Sequence, residues 1–322
     1  MWIGELREYM IIDKEKDTFI QIENKYIKDG DDVLDDESLT ILTLLNVNKT
    51  IKNNFIFSIS WIMDMLKYSE NNLRKRNDIK NTINYFIENN IIKIYTNIIM
   101  DVENMITDIN TINKNTLLYG KIQLEYDEIT DSFTMLYDKE LFKIIDISKK
   151  YKLDTYSLIR LVLYLFSCIN CNKDIEDYCL CYPSFKNISD EVGISETTIE
   201  KYITILQYEK IIDYDYAGYK ETAQGKVKNG HMFYSRYMDR NLLIERVKNE
   251  RIREGFIKLN KLSKDKSNTK RSISQMINKL NNKNNLTDIE TERLKLLEET
   301  YNKLNNGYSK EKKIIINNLN SI

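Results

Sequence analysis

Residues 182–216 limit the possible folds more than any other stretch of the chain, and they have the sequence YPSFKNISDEVGISETTIEKYITILQYEKIIDYDY. Pro183 is the only proline among the 322 residues, and it favours an extended backbone at the start of this stretch. Ser184 follows it and is well suited to cap a helix, which we predict over Phe185–Val192. The stretch therefore begins with an extended segment that turns at once into a helix.

Gly193 predicts a very short break between two helices, because glycine readily adopts the positive φ that a tight turn requires. Ile194 is expected to point inward, and Ser195 is predicted to cap a second helix over residues 196–209. Helical periodicity gives each helix one apolar side, formed by Ile188 and Val192 and then by Ile199, Ile203 and Leu206. The outward side of the second helix carries Thr197, Thr198, Glu200, Lys201 and Thr204.

Two strands are predicted to follow the second helix. Residues 211–216 alternate as a strand does, residues 217–231 form a loop rich in Gly and Lys, and residues 232–237 form a second strand-like run. Two strands joined by a basic loop make a wing.

This combination resembles the winged helix-turn-helix family, and within it the plasmid and phage replication initiators and replisome organisers of low-GC bacteria. The likeness is carried by Tyr182-Pro183-Ser184, by Gly193-Ile194-Ser195, by the apolar side of the second helix and by the lysines of the wing. The resemblance implies that the second helix enters a major groove of DNA. Repressors and partition proteins share these residues, so those roles stay open.

A second copy of the pattern is predicted nearer the N-terminus. Residues 78–92 align without a gap on residues 198–212, which pairs Ile79 with Ile199, Ile83 with Ile203, Phe86 with Leu206 and Ile91 with Ile211. Any two amphipathic helices with strand-like tails align in this way. The order of elements favours a true repeat, because each copy has a helix, a helix, a serine, a helix and a strand.

The helix of the first copy begins with basic and amide side chains, Asn71, Asn72, Arg74, Lys75 and Arg76. Such a cluster suits phosphate contacts together with adenine recognition. The alternative is an ordinary exposed, charged side of a helix.

The predicted fold is mainly α with small β wings, as tandem winged-helix domains followed by a helical region. The domains are residues 1–145, 146–240 and 241–322. Residues 18–27 alternate as a strand, residues 117–137 contain two alternating runs that predict a hairpin, and residues 155–169 are apolar nearly all round, which predicts a buried helix.

Charge is distributed unevenly along the chain. The whole chain has 48 Lys and Arg against 49 Asp and Glu, whereas residues 241–322 have 18 against 10. Helices are predicted there over residues 241–262, 269–280 and 287–304. A packed helical bundle, a partner-binding arm and partial disorder are the alternatives for this basic region.

Neither a signal peptide nor a membrane span is evident in the sequence. The longest apolar run, residues 158–169, contains Arg160 and is shorter than the roughly 20 residues that a bilayer requires. We therefore expect a cytoplasmic protein.

Catalysis is not expected, and no cofactor is predicted. His231 is the only histidine, and the phosphate-binding pattern G-x-x-x-x-G-K-[ST] is missing. Cys168, Cys171, Cys179 and Cys181 lie close together in sequence, so a zinc site is one interpretation. We favour four ordinary thiols, because the spacing lacks two C-x2-C units and Cys168 falls on the apolar side of a buried helix.

The second helix of the central stretch is poor in positive charge. Glu196 and Glu200 accompany Lys201 on this helix. One interpretation is that a carboxylate recognises cytosine, and the other is that Glu196 merely stabilises the N-terminus of the helix. Phosphate contacts are then expected from the wing and the first copy. The predicted DNA-binding residues are Asn71, Asn72, Arg74, Lys75, Arg76, Lys80, Ser184, Lys186, Ser195, Thr197, Thr198, Lys201, Lys220, Lys226, Lys228, His231 and Arg236.

The sequence thus predicts a sequence-specific double-stranded DNA-binding protein that serves replication initiation or maintenance of a plasmid or phage. Replisome proteins are expected partners of the C-terminal region, and a homodimer stays open. The alternatives are a transcriptional repressor, a partition protein, or a winged-helix module that binds protein instead of DNA.

Overall fold

The computed structural model describes residues 18–28, 31–50, 52–123, 132–171, 173–221 and 227–256, together with parts of 273–301. About 52% of the described residues are helical, and the strands form small sheets of two to four strands, so the protein is broadly mixed α/β. The chain divides into two compact units. The first comprises residues 1–217 and 230–255, and the second comprises residues 218–229 and 256–322.

The elements of the N-terminal half are small strands interleaved with helices. In order they are β1 (Phe19–Glu23), α1 (Asp36–Val47), β2 (Asn54–Phe57), α2 (Ile59–Met65), α3 (Leu73–Glu88), β3 (Ile92–Tyr95), β4 (Met105–Ile106), β5 (Leu118–Ile122), β6 (Phe133–Tyr137) and α4 (Asp138–Lys150).

The remaining elements begin with helices. They are α5 (Thr155–Ser167), α6 (Phe185–Val192), α7 (Glu196–Tyr208), β7 (Ile212–Tyr216), β8 (Tyr219–Glu221), β9 (Val227–Asn229), β10 (Met232–Arg236) and α8 (Arg240–Glu254). The sequence-based helices at 185–192 and 196–209 agree with α6 and α7, and the strand expected within 18–27 is β1.

All the strand pairs among the described residues are antiparallel. The largest sheet has the order β2-β5-β3-β4, and the two-stranded sheets are β1-β6, β7-β10 and β8-β9. The hairpin predicted over residues 117–137 is wrong, because β5 pairs with β2 and β3 whereas β6 pairs with β1. Alternating polarity identified both strands but carries no information about their partners.

The same order of elements occurs twice within the first unit. The first repeat consists of β2, α2, α3, β3 and β5. The second repeat consists of Cys181, which forms a bridge with Tyr234, followed by α6, α7, β7 and β10. In the first repeat, the last strand, β5, lies between β2 and β3. In the second repeat, the last strand, β10, lies between Cys181 and β7 in the same way.

The short helices of the two repeats begin and end alike. Ser58 and Ser184 cap α2 and α6 through their side chains. Nine positions later, Lys67 has φ 56° and Gly193 has φ 73°, so each helix is followed by a left-handed residue. The first repeat uses a lysine where the second uses the glycine that the sequence singled out.

The turn from the long helix into the strand is the same in both repeats. Asn90 and Lys210 have φ values of 55° and 61°. The N–H of the next residue, Ile91 or Ile211, donates to the carbonyl of Phe86 or Leu206, and both N···O distances are 2.9 Å. The alignment of residues 78–92 with 198–212 therefore holds across this junction.

One apolar core runs through the first unit, and α5 is its most enclosed helix. Its residues 155–166 are buried except for Ser157, as the sequence predicted. Arg160 is tolerated inside because its guanidinium donates to the carbonyls of Leu34 and Ile27 at 2.6 and 3.3 Å and pairs with Asp36. The boundary predicted between residues 145 and 146 falls within α4.

The helix predicted over residues 241–262 is shorter in the structure. α8 ends at Glu254, because Gly255 adopts φ 70° and its N–H bonds to the Arg251 carbonyl. In the described part of the chain, every helix is too short or too polar to cross a membrane.

Gly120 is a position at which β5 tolerates no side chain. It lies opposite Phe55 in the β2–β5 pairing, and a Cβ atom built on Gly120 would fall 2.2 Å from the Phe55 ring. We expect Gly120→Ala to destabilise the protein by about 1 to 3 kcal/mol, since the buried ring must move. Urea unfolding measures this change, with Lys121→Ala at the exposed neighbouring position as the control. Equal effects of the two substitutions would contradict the prediction.

The left-handed residue after α2 provides a second test. Lys67→Gly should stabilise the protein by up to about 1 kcal/mol, because a left-handed conformation is unfavourable for a residue with a side chain. Lys67→Ala is the matched control, since both variants lose the exposed ion pair with Asp146 but only glycine relieves the backbone. If urea unfolding gives Lys67→Gly a free energy of unfolding equal to or lower than that of Lys67→Ala, residue 67 does not have a left-handed backbone.

Candidate nucleic-acid interface

The long helix of the first repeat, α3, divides its side chains into three groups. Ile79, Ile83 and Phe86 are fully buried and attach the helix to the core. A second group is occupied by contacts with neighbouring loops. The third group is exposed and is available to a partner molecule.

Two of the predicted residues at the start of α3 shape the turn that precedes it. Asn72 caps the helix, and its Oδ1 accepts from the Lys75 N–H at 3.1 Å. Arg76 donates to the Glu70 carbonyl at 2.7 Å. Asn71 and Arg74 are exposed. The predicted cluster is therefore split between structural and accessible residues.

Lys75 faces the protein rather than solvent. Its Nζ lies 3.4 Å from the Asp78 carboxylate and 3.7 Å from that of Glu37. The same ammonium group lies 5.1 Å from the centre of the Tyr156 ring and 5.7 Å from that of Tyr68. These contacts neutralise and shield the charge, which makes Lys75 a poor candidate for binding phosphate.

Lys80 and Asn84 hold the loop at residues 108–112 against α3. Lys80 Nζ donates to the carbonyls of Asn110 and Ile112 at 3.2 and 2.7 Å. Asn84 donates to Asp108 and accepts from the Ile109 N–H, both at 2.9 Å. The Asn110 N–H and the Asn84 amide keep the pKa of Asp108 below its usual value. Lys80, predicted to bind DNA, instead braces this helix.

The exposed group on α3 forms a stripe along the helix, and most of it was missed by the sequence analysis. The stripe consists of Arg74, Asn77, Asn81 and Tyr85, all of them exposed. Asn77 and Asn81 have no hydrogen-bond partner within the described residues. The sequence could have indicated their exposure, because the helical period places Asn77 and Asn81 on the side opposite Ile79 and Ile83.

The helix pair of the second repeat uses its predicted serines as caps. Ser184 Oγ accepts from the Asn187 N–H at 3.1 Å, and Ser195 Oγ accepts from the Thr198 N–H at 3.2 Å. The Ser195 and Thr198 hydroxyl oxygens lie 2.9 Å apart. Lys186 is exposed on α6.

The outward side of α7 is exposed as predicted, but it is not basic. Glu196, Thr197, Glu200, Lys201 and Thr204 all face solvent, so two carboxylates accompany one lysine. This side is a weaker site for phosphate than the stripe on α3.

The second unit contains the hairpin of β8 and β9, with Lys220 paired opposite Lys228. Both ammonium groups lie over the Phe256 ring, at 5.4 and 5.9 Å from its centre. Lys226 lies outside the described residues.

His231 is exposed beside two aromatic rings. Its ring centre lies 5.4 Å from that of Tyr182 and 6.1 Å from that of Phe233. Tyr182 is half exposed, so this group presents an aromatic surface.

Arg236, which the sequence predicted to bind DNA, forms its contacts within the protein. Its guanidinium donates to the buried Glu140 carboxylate at 2.7 Å and to the Met135 carbonyl, and it lies 3.8 Å above the Phe166 ring centre. Burial raises the pKa of Glu140, and the charge of Arg236 opposes that rise. The guanidinium has its partners inside the protein and is unavailable to a phosphate.

The four cysteines form no disulfide bond. Cys181 is buried at the bridge with Tyr234, and burial raises the pKa of its thiol well above the usual value. Across the described ranges, His, Cys, Asp and Glu side chains form no group of three suited to a metal ion.

The buried Arg236–Glu140 pair yields a stability prediction. Arg236→Ala should destabilise the protein by about 3 to 5 kcal/mol, because it leaves the Glu140 carboxylate buried without its cation. Asp146→Ala breaks the exposed pair with Lys67 and should cost less than about 1 kcal/mol. Urea unfolding of both variants gives the comparison, and similar losses would show that Arg236 is not a buried partner.

No protein-family model matches this sequence, and no curated protein shows significant similarity to it. A functional assignment therefore depends on the geometry and chemistry of the surfaces described above.

Proposed function

We propose that this is a sequence-specific double-stranded DNA-binding protein with two winged-helix repeats, and that α3 of the first repeat supplies the main DNA-binding surface. The observation that carries the proposal is the exposed stripe on α3. It combines the cation of Arg74 with the free amides of Asn77 and Asn81 on a helix that Lys80 bonds to the loop at residues 108–112.

The order of elements supports the winged-helix part of the proposal. Each repeat has a short helix followed by a left-handed residue and then a longer helix, and two antiparallel strands come after them. In helix-turn-helix proteins, the second helix of such a pair lies in the major groove. α3 and α7 hold that position in the two repeats.

The dimensions of α3 suit the proposed groove. It has 16 residues, which corresponds to about 24 Å of helix. A major groove about 12 Å wide admits one α-helix with its side chains. The bonds from Lys80 and Asn84 to the loop at 108–112 fix this helix before any contact is made, which reduces the entropy lost on binding.

The biological role that we infer is replication initiation or maintenance of a plasmid or phage. Its support is the resemblance of residues 182–216 to replication initiators. A repressor or a partition protein would use the same DNA contacts. The C-terminal region would bind replisome proteins, and a homodimer would place further helices on the DNA.

A second candidate function is protein binding by the second repeat. It is favoured by the exposed side of α7, where Glu196 and Glu200 outweigh Lys201. Such a surface repels phosphates and is compatible with a basic protein partner.

Salt dependence tests the DNA proposal. The full-length protein should bind a double-stranded fragment with an affinity that falls steeply between 50 and 200 mM salt, as phosphate contacts release counterions (about 0.9 per contact). Arg74→Ala should weaken binding and lower the slope of log K against log salt by about 1, if Arg74 contacts one phosphate. Fluorescence anisotropy measures both quantities.

Lys52→Ala removes an exposed lysine outside α3 and is the matched control for the Arg74 variant. It should leave the slope unchanged. A flat salt response of the wild-type protein would refute DNA binding, and equal effects of the two variants would refute the role of α3.

A further inference from the structure

We propose that Asn77 and Asn81 recognise adenine bases in the major groove, which makes the first repeat specific for A·T base pairs. This inference depends on the proposed DNA-binding function and adds to it the identity of the base and the residues that select it.

Accessibility separates these two residues from the other asparagines of the helix. Asn72 caps α3, Asn84 is bonded to the loop at 108–112, and Asn89 donates to the Tyr85 carbonyl at the C-terminal end. Asn77 and Asn81 are exposed, and neither side-chain amide forms a hydrogen bond within the described residues. Their amides are therefore free to bind a partner molecule.

The spacing of the pair fits stacked bases. Residues four apart lie on the same side of a helix and are separated by about 6 Å along its axis. Base pairs are stacked about 3.4 Å apart, so Asn77 and Asn81 match positions about two base steps apart. Arg74 begins the same stripe, where a guanidinium suits a phosphate or a guanine.

The carboxamide group determines which base is preferred. Its oxygen accepts from the adenine N6 amino group while its NH2 donates to N7, which gives two hydrogen bonds in one plane. Guanine presents two acceptors on the same edge, so it leaves the amide oxygen without a donor. An asparagine in this position therefore discriminates between the two purines.

The second repeat lacks this pair. The residues of α7 that align with Asn77 and Asn81 are Thr197 and Lys201, and both are exposed. Neither presents an amide to the groove. The two repeats therefore have different base preferences, and the DNA site is expected to be asymmetric.

The test uses the full-length protein and duplexes selected from a random pool by the wild-type protein. Each adenine of the selected site is replaced in turn by 7-deazaadenine, which removes the N7 acceptor and keeps Watson–Crick pairing. The wild-type protein should lose about 10-fold in affinity at each of two adenines. For Asn81→Ala, 7-deazaadenine at one of these two positions should cause little further loss of affinity, because the amide that contacts N7 is already missing. For Asn77→Ala, the same should hold at the other position.

Two further variants control for folding. Alanine favours a helix more than asparagine does, so both substitutions should leave α3 folded. Asn249→Ala removes another exposed asparagine from a helix, α8, and should retain the full 7-deazaadenine effect. Asn81→Arg should shift the preference at its position from adenine towards guanine, which a misfolded protein cannot do.

The outcomes separate this inference from the function on which it depends. If the 7-deazaadenine penalty persists in Asn77→Ala and Asn81→Ala, these residues do not recognise adenine. Steep salt dependence without any selected sequence leaves DNA binding intact and refutes the specificity. If the protein binds no duplex at low salt, both proposals fail.

Discussion

The left-handed turn from a long helix into a strand governs the geometry of both repeats. At Asn90 and at Lys210, one residue with positive φ reverses the chain, and the next N–H closes the end of the helix. The helix can then bury one side against the core while the strand it feeds joins a sheet. The opposite side of the helix does not pack against the core, and on α3 this side carries the exposed stripe.

Local features were predictable from sequence where one residue type carries a strong conformational preference. Gly193 and the caps at Ser184 and Ser195 fixed the ends of α6 and α7 closely. Lys67 and Lys210 gave no comparable signal, because lysine rarely adopts positive φ. The partners of β5 and β6 were missed because alternating polarity specifies a buried side of a strand and not its neighbour.

The candidate site was predicted only in part, because charge alone does not reveal which groups are already occupied. Lys75, Lys80 and Arg236 have the residue types expected of a DNA contact, yet each is held by carboxylates, carbonyls or rings of the protein. Asn77 and Asn81 carry no charge and were overlooked. Their accessibility emerges only from the burial of Ile79 and Ile83 on the opposite side of α3.

The two repeats differ in length between the short and the long helix. Five residues lie between the left-handed Lys67 and the start of α3, whereas two lie between Gly193 and the start of α7. The core-facing residues from Ile79 and Ile199 onward keep the same register. Variation at this joint therefore leaves the core undisturbed, so the outward residues of α3 and α7 are free to diverge by mutation or to be exchanged by grafting. Under the proposed DNA-binding function, two such units give one chain two exposed helix surfaces whose specificities can change separately.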